Sequence, residues 1–174
     1  MIDWPAIETA IVSVTAAALG LPASSVWWAA PDVAVPARPC AALDWLSRDR
    51  DLGNPARNEQ RLPATPGTAQ IVHWRGHTLT VDYLAELPGA TATAGTSATA
   101  AIGKLARALH TSGPRATLRA AGLALTEVGD PRDVGAFVGT RFETRAVLEI
   151  EFTTADATAD AVGQIATVTG PTGP

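Results

Sequence analysis

The stretch FETRAVLEIEF, residues Phe142 to Phe152, has an alternating pattern that determines the expected fold. Counted by twos, one side carries Phe142, Thr144, Ala146, Leu148, Ile150 and Phe152, and the other carries Glu143, Arg145, Val147, Glu149 and Glu151. Because successive side chains of a strand point to opposite faces, this pattern predicts a β-strand with one face on a hydrophobic core. The charged side then has to face either solvent or a partner.

Composition places the chain among globular proteins with one hydrophobic core. Its 174 residues are 47% hydrophobic, and this length fits one domain better than two. We therefore expect a single domain over residues 1–170 and a flexible tail over residues 171–174. The net charge is −4, so no overall basic field draws the chain to nucleic acid or acidic lipid.

The single cysteine and the N-terminal residues bear on the cellular compartment. Cys40 has no second cysteine to pair with, which favours a reducing compartment. The chain begins Met1-Ile2-Asp3, without the positive charge that a signal peptide needs. No apolar run approaches the length of a membrane span, so we expect no membrane partner.

The order of helical and strand patterns predicts an α+β fold. Helices are expected after the N-cap signal Asp3-Trp4-Pro5 and over residues 97–110, with a possible helical turn over residues 114–121 after a stop at Ser112-Gly113-Pro114. Strands are expected over residues 25–29, 40–48, 71–74, 77–84, 123–128, 142–152 and 164–169. The sheet is predicted to be mostly antiparallel, with helices packed on one face and a long β-hairpin or loop extension.

A hairpin turn is predicted at Arg75-Gly76. With that turn, the core-facing side carries Val72, Trp74, His77, Leu79, Val81 and Tyr83. His73 and His77 then point to opposite faces, so they are interpreted as sheet residues, one exposed and one partly buried, and not as metal ligands.

The polar segment Asp49 to Gly67 is predicted to be a long loop. Arg50, Arg57 and Arg61 lie in it and Arg48 directly precedes it, together with carboxylates that could join charge-assisted contacts to a partner. One interpretation is a loop that becomes ordered on assembly. The alternative is an ordinary surface loop.

Motifs for catalysis or cofactor binding are missing from the sequence. Gly103-Lys104 resembles a phosphate-binding loop, but Ala98 stands where its first glycine is needed. There is no Gly-x-Ser-x-Gly elbow, and Cys40 lies in an apolar strand, as a core thiol does. Asp156, Asp160 and their neighbours lack calcium-loop spacing. We therefore predict no catalytic, cofactor-binding or metal-binding residues.

Two adjacent tryptophans indicate a possible contact surface. Trp27 and Trp28 cannot both point inward from one strand. One of them is predicted to be exposed, or to be covered by a partner or another part of the same chain.

The whole pattern resembles the neck or tail-terminator (tail-completion) proteins of long-tailed bacteriophages. The resemblance rests on the Val26-Trp27-Trp28 strand, the approach Pro36-Ala37-Arg38-Pro39 into CAALDWL, the stretch Glu143 to Phe152, and the terminal IATV. It implies an α+β subunit that assembles as a hexameric ring, with no enzymatic activity and no cofactor.

That resemblance also implies a place and a set of partners. The ring would sit at the neck of the virion, between the tail-tube protein and the head-completion or connector protein, after synthesis in the host cytoplasm. Double-stranded DNA would pass through it without specific binding. The candidate interface residues are Arg48, Arg50, Arg57, Arg61, Glu143, Arg145, Glu149 and Glu151.

Two other functions remain open at this point. One is a different head-tail connector or tail-tube subunit with the same fold. The other is a small ligand-binding domain or an enzyme whose site carries no recognised motif.

Overall fold

The computed structural model describes residues 2–52, 59–61, 68–85, 97–138 and 141–161. Within those ranges lie three α-helices: α1 (Trp4–Leu19), α2 (Ala98–Leu109) and α3 (Ser112–Ala120). The same ranges hold nine strands: β1 (Val26–Trp28), β2 (Cys40–Asp51), β3 (Glu59–Arg61), β4 (Thr68–Leu84), β5 (Leu123–Val128), β6 (Arg132–Asp133), β7 (Ala136–Val138), β8 (Arg141–Glu143) and β9 (Arg145–Ala161).

The strands build one main sheet in the order β1-β2-β4-β9-β5. β1 and β2 are parallel, and the other pairs are antiparallel. β3 adds to β4 and β6 adds to β9, while β7 and β8 form a separate pair. The α+β class with a mostly antiparallel sheet is therefore confirmed.

Local signals fix the ends of the helices. The side chain of Asp3 accepts a hydrogen bond from the Ala6 amide at 3.1 Å, and α1 ends at Gly20, whose φ of 70° is favourable for glycine. Ser97 caps α2 in the same way, accepting from the Ala100 amide at 3.1 Å. Ser112-Gly113-Pro114 was predicted to end a helix, but it begins α3, since proline is tolerated in a first turn.

The hydrophobic core lies between the helices and one face of the sheet. The strands contribute Leu79, Val81, Leu148, Ile150 and Phe152, and the helices contribute Ile7, Ile11, Ile102, Leu105 and Leu118, all nearly inaccessible to solvent. From Ala146 to Phe152, the apolar side of the opening stretch thus lies on the core, as predicted. All three helices pack on this face.

The predicted hairpin at Arg75-Gly76 is wrong. β4 runs without interruption through both residues and pairs with β9 in unbroken register. The side chain of Leu52 lies over Gly76, where an added Cβ would come within 2.9 Å of Leu52 Cδ2. Gly76 therefore serves close packing within a strand and not a turn. Without the turn, Trp74 leaves the predicted core side and is 39% exposed.

The bounds of the opening strand also differ from the prediction. Strand structure is interrupted at Thr144, between β8 and β9, and β9 then continues to Ala161, nine residues past the predicted end at Phe152. β4 and β9 each have 17 residues. Their distal halves pair beyond the core cluster and carry β3, so an extension of the sheet stands where the sequence predicts a long β-hairpin or loop extension. The predicted strand 164–169 and the tail 171–174 lie outside the described residues.

Candidate functional site

The outer face of the sheet, opposite the helices, is the first candidate site. The antiparallel register places Asp82 beside Val147, Thr80 beside Glu149, and Thr78 beside Glu151. Their neighbours Leu79, Val81, Leu148 and Ile150 face the core, so the pleat puts these polar residues on the other side. The charged side of β9 therefore lies on a sheet face that the helices leave uncovered.

Arg145 forms an ion pair on this face with Asp82 of its own chain. Nε of Arg145 lies 2.8 Å from each carboxylate oxygen of Asp82, and Nη2 also donates to Oδ2. This forked hydrogen bond raises the pKa of Arg145. The side chains are 48% and 14% exposed, respectively. The sequence makes Arg145 a candidate interface residue, but in the structure its ion-pair partner, Asp82, belongs to the same subunit.

Two further ion pairs involve predicted interface residues. Glu143 accepts from Arg38 at 2.7 Å, between side chains that are each about one-fifth exposed. Glu149 lies 3.2 Å from Arg132, whose side chain is 65% exposed. The first pair joins the connector before β2 to β8, and the second joins the neighbouring strands β6 and β9, so both lie within the subunit.

Glu151 is placed differently from Glu143 and Glu149. It lies directly opposite Glu127 of β5, and like charges at opposed strand positions repel each other. Within the described ranges, neither glutamate forms an ion pair, and neither does the exposed Asp44 of β2. Among the described residues, the outer face thus keeps three carboxylates that form no ion pair.

Of the four arginines predicted around the polar loop, the structure describes the side chains of Arg48 and Arg50. Arg48 lies on the helix side, where it pairs with Glu8 at 2.7 Å. Arg50 is exposed on β2, opposite Gly76. Arg61 belongs to β3, but its side chain lies outside what the structure describes, as does all of Arg57. The predicted loop is partly strand, since β2 extends to Asp51 and β3 begins at Glu59.

An aromatic cluster surrounds Arg48. The guanidinium lies 5.0 Å from the Trp4 ring centroid and 5.4 Å from that of Trp45. Trp28 stacks on Trp45 with centroids 5.5 Å apart. Sequence reasoning missed this contact, because a register shift between Trp45 and Ser47 changes which side chains share a face. No spacing rule indicates such a bulge.

A cavity of about 490 Å³ opens beside this cluster. It is lined by Glu8, Trp28, Ala29, Asp44, Trp45, Leu46, Ser47 and Arg48. The adjacent tryptophans separate as predicted, because Trp28 joins the cluster while Trp27 pairs with Ala42 and faces the outer side, half-buried. The cavity brings together one ion pair and aromatic surface, without a nucleophile beside a base.

The histidines and the cysteine occupy structural positions. His73 and His77 are four residues apart on one continuous strand and so share a face, contrary to the hairpin prediction. His77 is fully buried, with Nε2 2.9 Å from Thr154 Oγ1, and His73 is half-buried. Burial raises the pKa of the Cys40 thiol, which disfavours the reactive thiolate.

Neither a cluster of metal ligands nor a membrane-spanning helix is found in the residues that the structure describes. In those ranges, no group of three or more histidine, cysteine or acidic side chains is arranged to hold a metal ion. None of the helices seen there combines the length and apolar character needed to cross a bilayer.

Comparison with protein families identifies the family of the chain. A family model described as phage neck terminator protein matches residues 6–173. A sequence search of curated proteins finds no match. Because the family match spans nearly all of the chain, the protein belongs to the phage neck terminator family of structural virion proteins.

Proposed function

We propose that the protein forms a ring, with six copies as the expected number, at the head-proximal end of the phage tail. There it stops growth of the tail tube and joins the tail to the head connector. The observation that carries this proposal is the family match over residues 6–173. The proposal includes the absence of enzymatic activity, since the role requires only binding surfaces.

Ring assembly requires two unlike surfaces on each subunit. In a closed ring of more than two copies, one patch of a subunit contacts a different patch of the next. This chain offers such patches, since the helices cover one side of the sheet and the outer face is charged. Its β-extension offers a third surface, which could reach the tail-tube protein or the connector.

The candidate interface residues differ in whether they already form an ion pair within the subunit. Arg145 and Glu143 are engaged by Asp82 and Arg38, so they support the subunit first. Glu151 and Arg50 have no ion pair within the described ranges. We propose that these last two contact partners directly.

Passage of DNA is compatible with this charge distribution. Binding to duplex DNA depends on neutralising phosphates with lysine and arginine, which releases counterions. A subunit with a net charge of −4 would line a channel without holding DNA. We propose that duplex DNA passes through the ring without specific binding.

The test is removal of the gene from the phage that encodes it. We expect particles with unjoined heads and tails, tail tubes of irregular length, and rescue by the gene supplied in trans. Electron microscopy of labelled protein should place it once per particle, at the neck. A label that recurs along the tail would indicate a tube subunit, and intact particles without the protein would reject the proposal.

A further inference from the structure

The acidic and basic residues are segregated along the chain. Between Leu87 and Thr126 there is no aspartate or glutamate, but the segment contains Lys104, Arg107, Arg115 and Arg119. This segment includes α2 and α3. The helices α2 and α3 therefore place basic side chains on the helical side of the subunit, and they place no acidic side chains there.

These cations face solvent. Lys104, Arg107 and Arg119 are exposed, while Ile102, Leu105 and Leu118 of the same helices are buried in the core. In the described part of the chain, none of the three cations forms an ion pair. We call them the basic helical surface. Arg115 is not included, because its Nε donates to the Leu109 carbonyl at 3.0 Å.

The opposite side of the sheet carries the matching charge. Asp44, Glu127 and Glu151 are the three outer-face carboxylates without an ion pair in the described ranges, and we call them the acidic sheet surface. Glu149 adds a carboxylate that Arg132 already neutralises. The direct opposition of Glu127 and Glu151 is unfavourable in an isolated subunit. A cation supplied from outside would remove that repulsion.

We propose that the basic helical surface of one copy docks on the acidic sheet surface of the next copy. This inference rests on the proposed ring and names the two patches that close it. The two surfaces lie on opposite sides of the sheet in each subunit. In the ring, the three cations of one copy would face the three carboxylates of the next copy. The arrangement is head-to-tail, because contact between two identical patches would bring like charges together.

Duplex DNA is the other polyanion that could contact the basic helical surface. The second copy is favoured because the complementary charge is present on the same chain, and because phosphate contact would leave Glu127 and Glu151 unneutralised. The experiment below separates the two, since a charge reversal on the sheet can rescue only a contact between copies.

The test uses two charge-reversed variants of the full chain. The first carries Arg107→Glu and Arg119→Glu, and the second carries Glu127→Arg and Glu151→Arg. The second variant keeps one like-charge pair across the strands, so its folding remains comparable with that of wild type. Asp32→Arg, an exposed site on neither surface, is the control for a charge reversal elsewhere on the subunit. Thermal melting verifies that each variant folds, and Arg107→Gln with Arg119→Gln replaces the first variant if it does not.

Each protein is supplied in trans to phage lacking the gene, and joined particles are counted. Either reversed variant alone should lower the yield by at least tenfold, because its two surfaces then carry the same sign. Both variants expressed together should restore the yield through alternating copies, which close only in a ring with an even number of subunits. A chain with all four reversals should also restore it.

The outcomes separate this inference from the proposed function. If wild type restores joined particles and each reversed variant does so equally well, the docking surfaces lie elsewhere and the neck role stands. If the helix reversal abolishes DNA-filled particles and the sheet reversal gives no rescue, the helical surface contacts DNA and the inference is wrong. If wild type is absent from particles, the proposed function itself fails.

Discussion

The two sides of β9 come from one strand but have different roles. Leu148, Ile150 and Phe152 face the helices and are at most 2% exposed, whereas Glu149 and Glu151 alternate with them on the outer face. The side that faces the helices forms the hydrophobic core, which stabilises the isolated subunit. On the outer side, Glu151 lies opposite Glu127, an arrangement that lowers the stability of an isolated subunit. The difference indicates that the residues on the core side stabilise the fold of the subunit, and that the residues on the outer side serve contacts with other molecules.

The largest expected effect comes from matched substitutions on the two sides. Leu148→Asn places an amide in a core site that is 0% exposed, and we expect a loss of roughly 4 kcal/mol or more of the free energy of unfolding. Val147→Asn, one residue away on the outer face, should cost about 1 kcal/mol. Denaturant unfolding of both variants measures the contrast, and equal losses would show that the outer face is also a core.

Much of this two-sided fold could be predicted from local patterns. Alternation identified the core side of β9, the N-cap signal at Asp3 identified the start of α1, and helical periodicity over residues 97–110 identified α2. The turn at Arg75-Gly76 failed because a glycine between alternating stretches fits both a turn and a closely covered strand. Only the position of Leu52 over Gly76 decides between them, and that contact depends on the fold.

The candidate site was less predictable than the core. The sequence identified Arg145 as a charged strand residue, but its partner Asp82 lies 63 residues away. β4 and β9 are paired so that Leu84 is opposite Arg145, and the arginine reaches the diagonal neighbour. Likewise, residues beyond Phe152 lack apolar alternation because they extend outside the core. Their strand conformation depends on pairing with β4.

The second contrast concerns the ion pair between Arg145 and Asp82. Arg145→Ala should lower the free energy of unfolding by about 1 kcal/mol, because the carboxylate of Asp82 is only 14% exposed and loses a charged donor. A double-mutant cycle with Asp82→Ala measures the coupling. A coupling energy of zero would show that the ion pair with Asp82 does not stabilise the subunit. Arg145 would then again be a candidate for direct contact with a partner.

A smaller effect of opposite sign is expected at Glu151. Glu151→Gln removes the repulsion from Glu127 and should stabilise the isolated subunit by about 0.2–1 kcal/mol. Glu149→Gln is the matched control, because it removes the pair with Arg132 and should be neutral or slightly destabilising. Melting temperatures of the two variants give the comparison. If Glu151→Gln destabilises the subunit, the outer face is already optimised for the monomer.

The smallest effect concerns Cys40, the first residue of β2. Its accessibility reports whether solvent reaches this end of the outer face. In the sheet register, Cys40 of β2 is opposite Leu84 of β4, and its side chain points away from the core side. It is nevertheless 0% exposed. Burial raises the thiol pKa above its ordinary value of 9.0, so the native state keeps a proton that the unfolded chain releases. The contribution of the thiol to stability is therefore complete below pH 9.0 and decreases as the pH rises through the raised pKa. Unfolding at pH 8 and pH 10 should show a greater loss for wild type than for Cys40→Ala, which has no thiol to titrate. A thiol reagent should modify the native protein far more slowly than the unfolded chain, and equal rates would show that this end of the outer face is open to solvent.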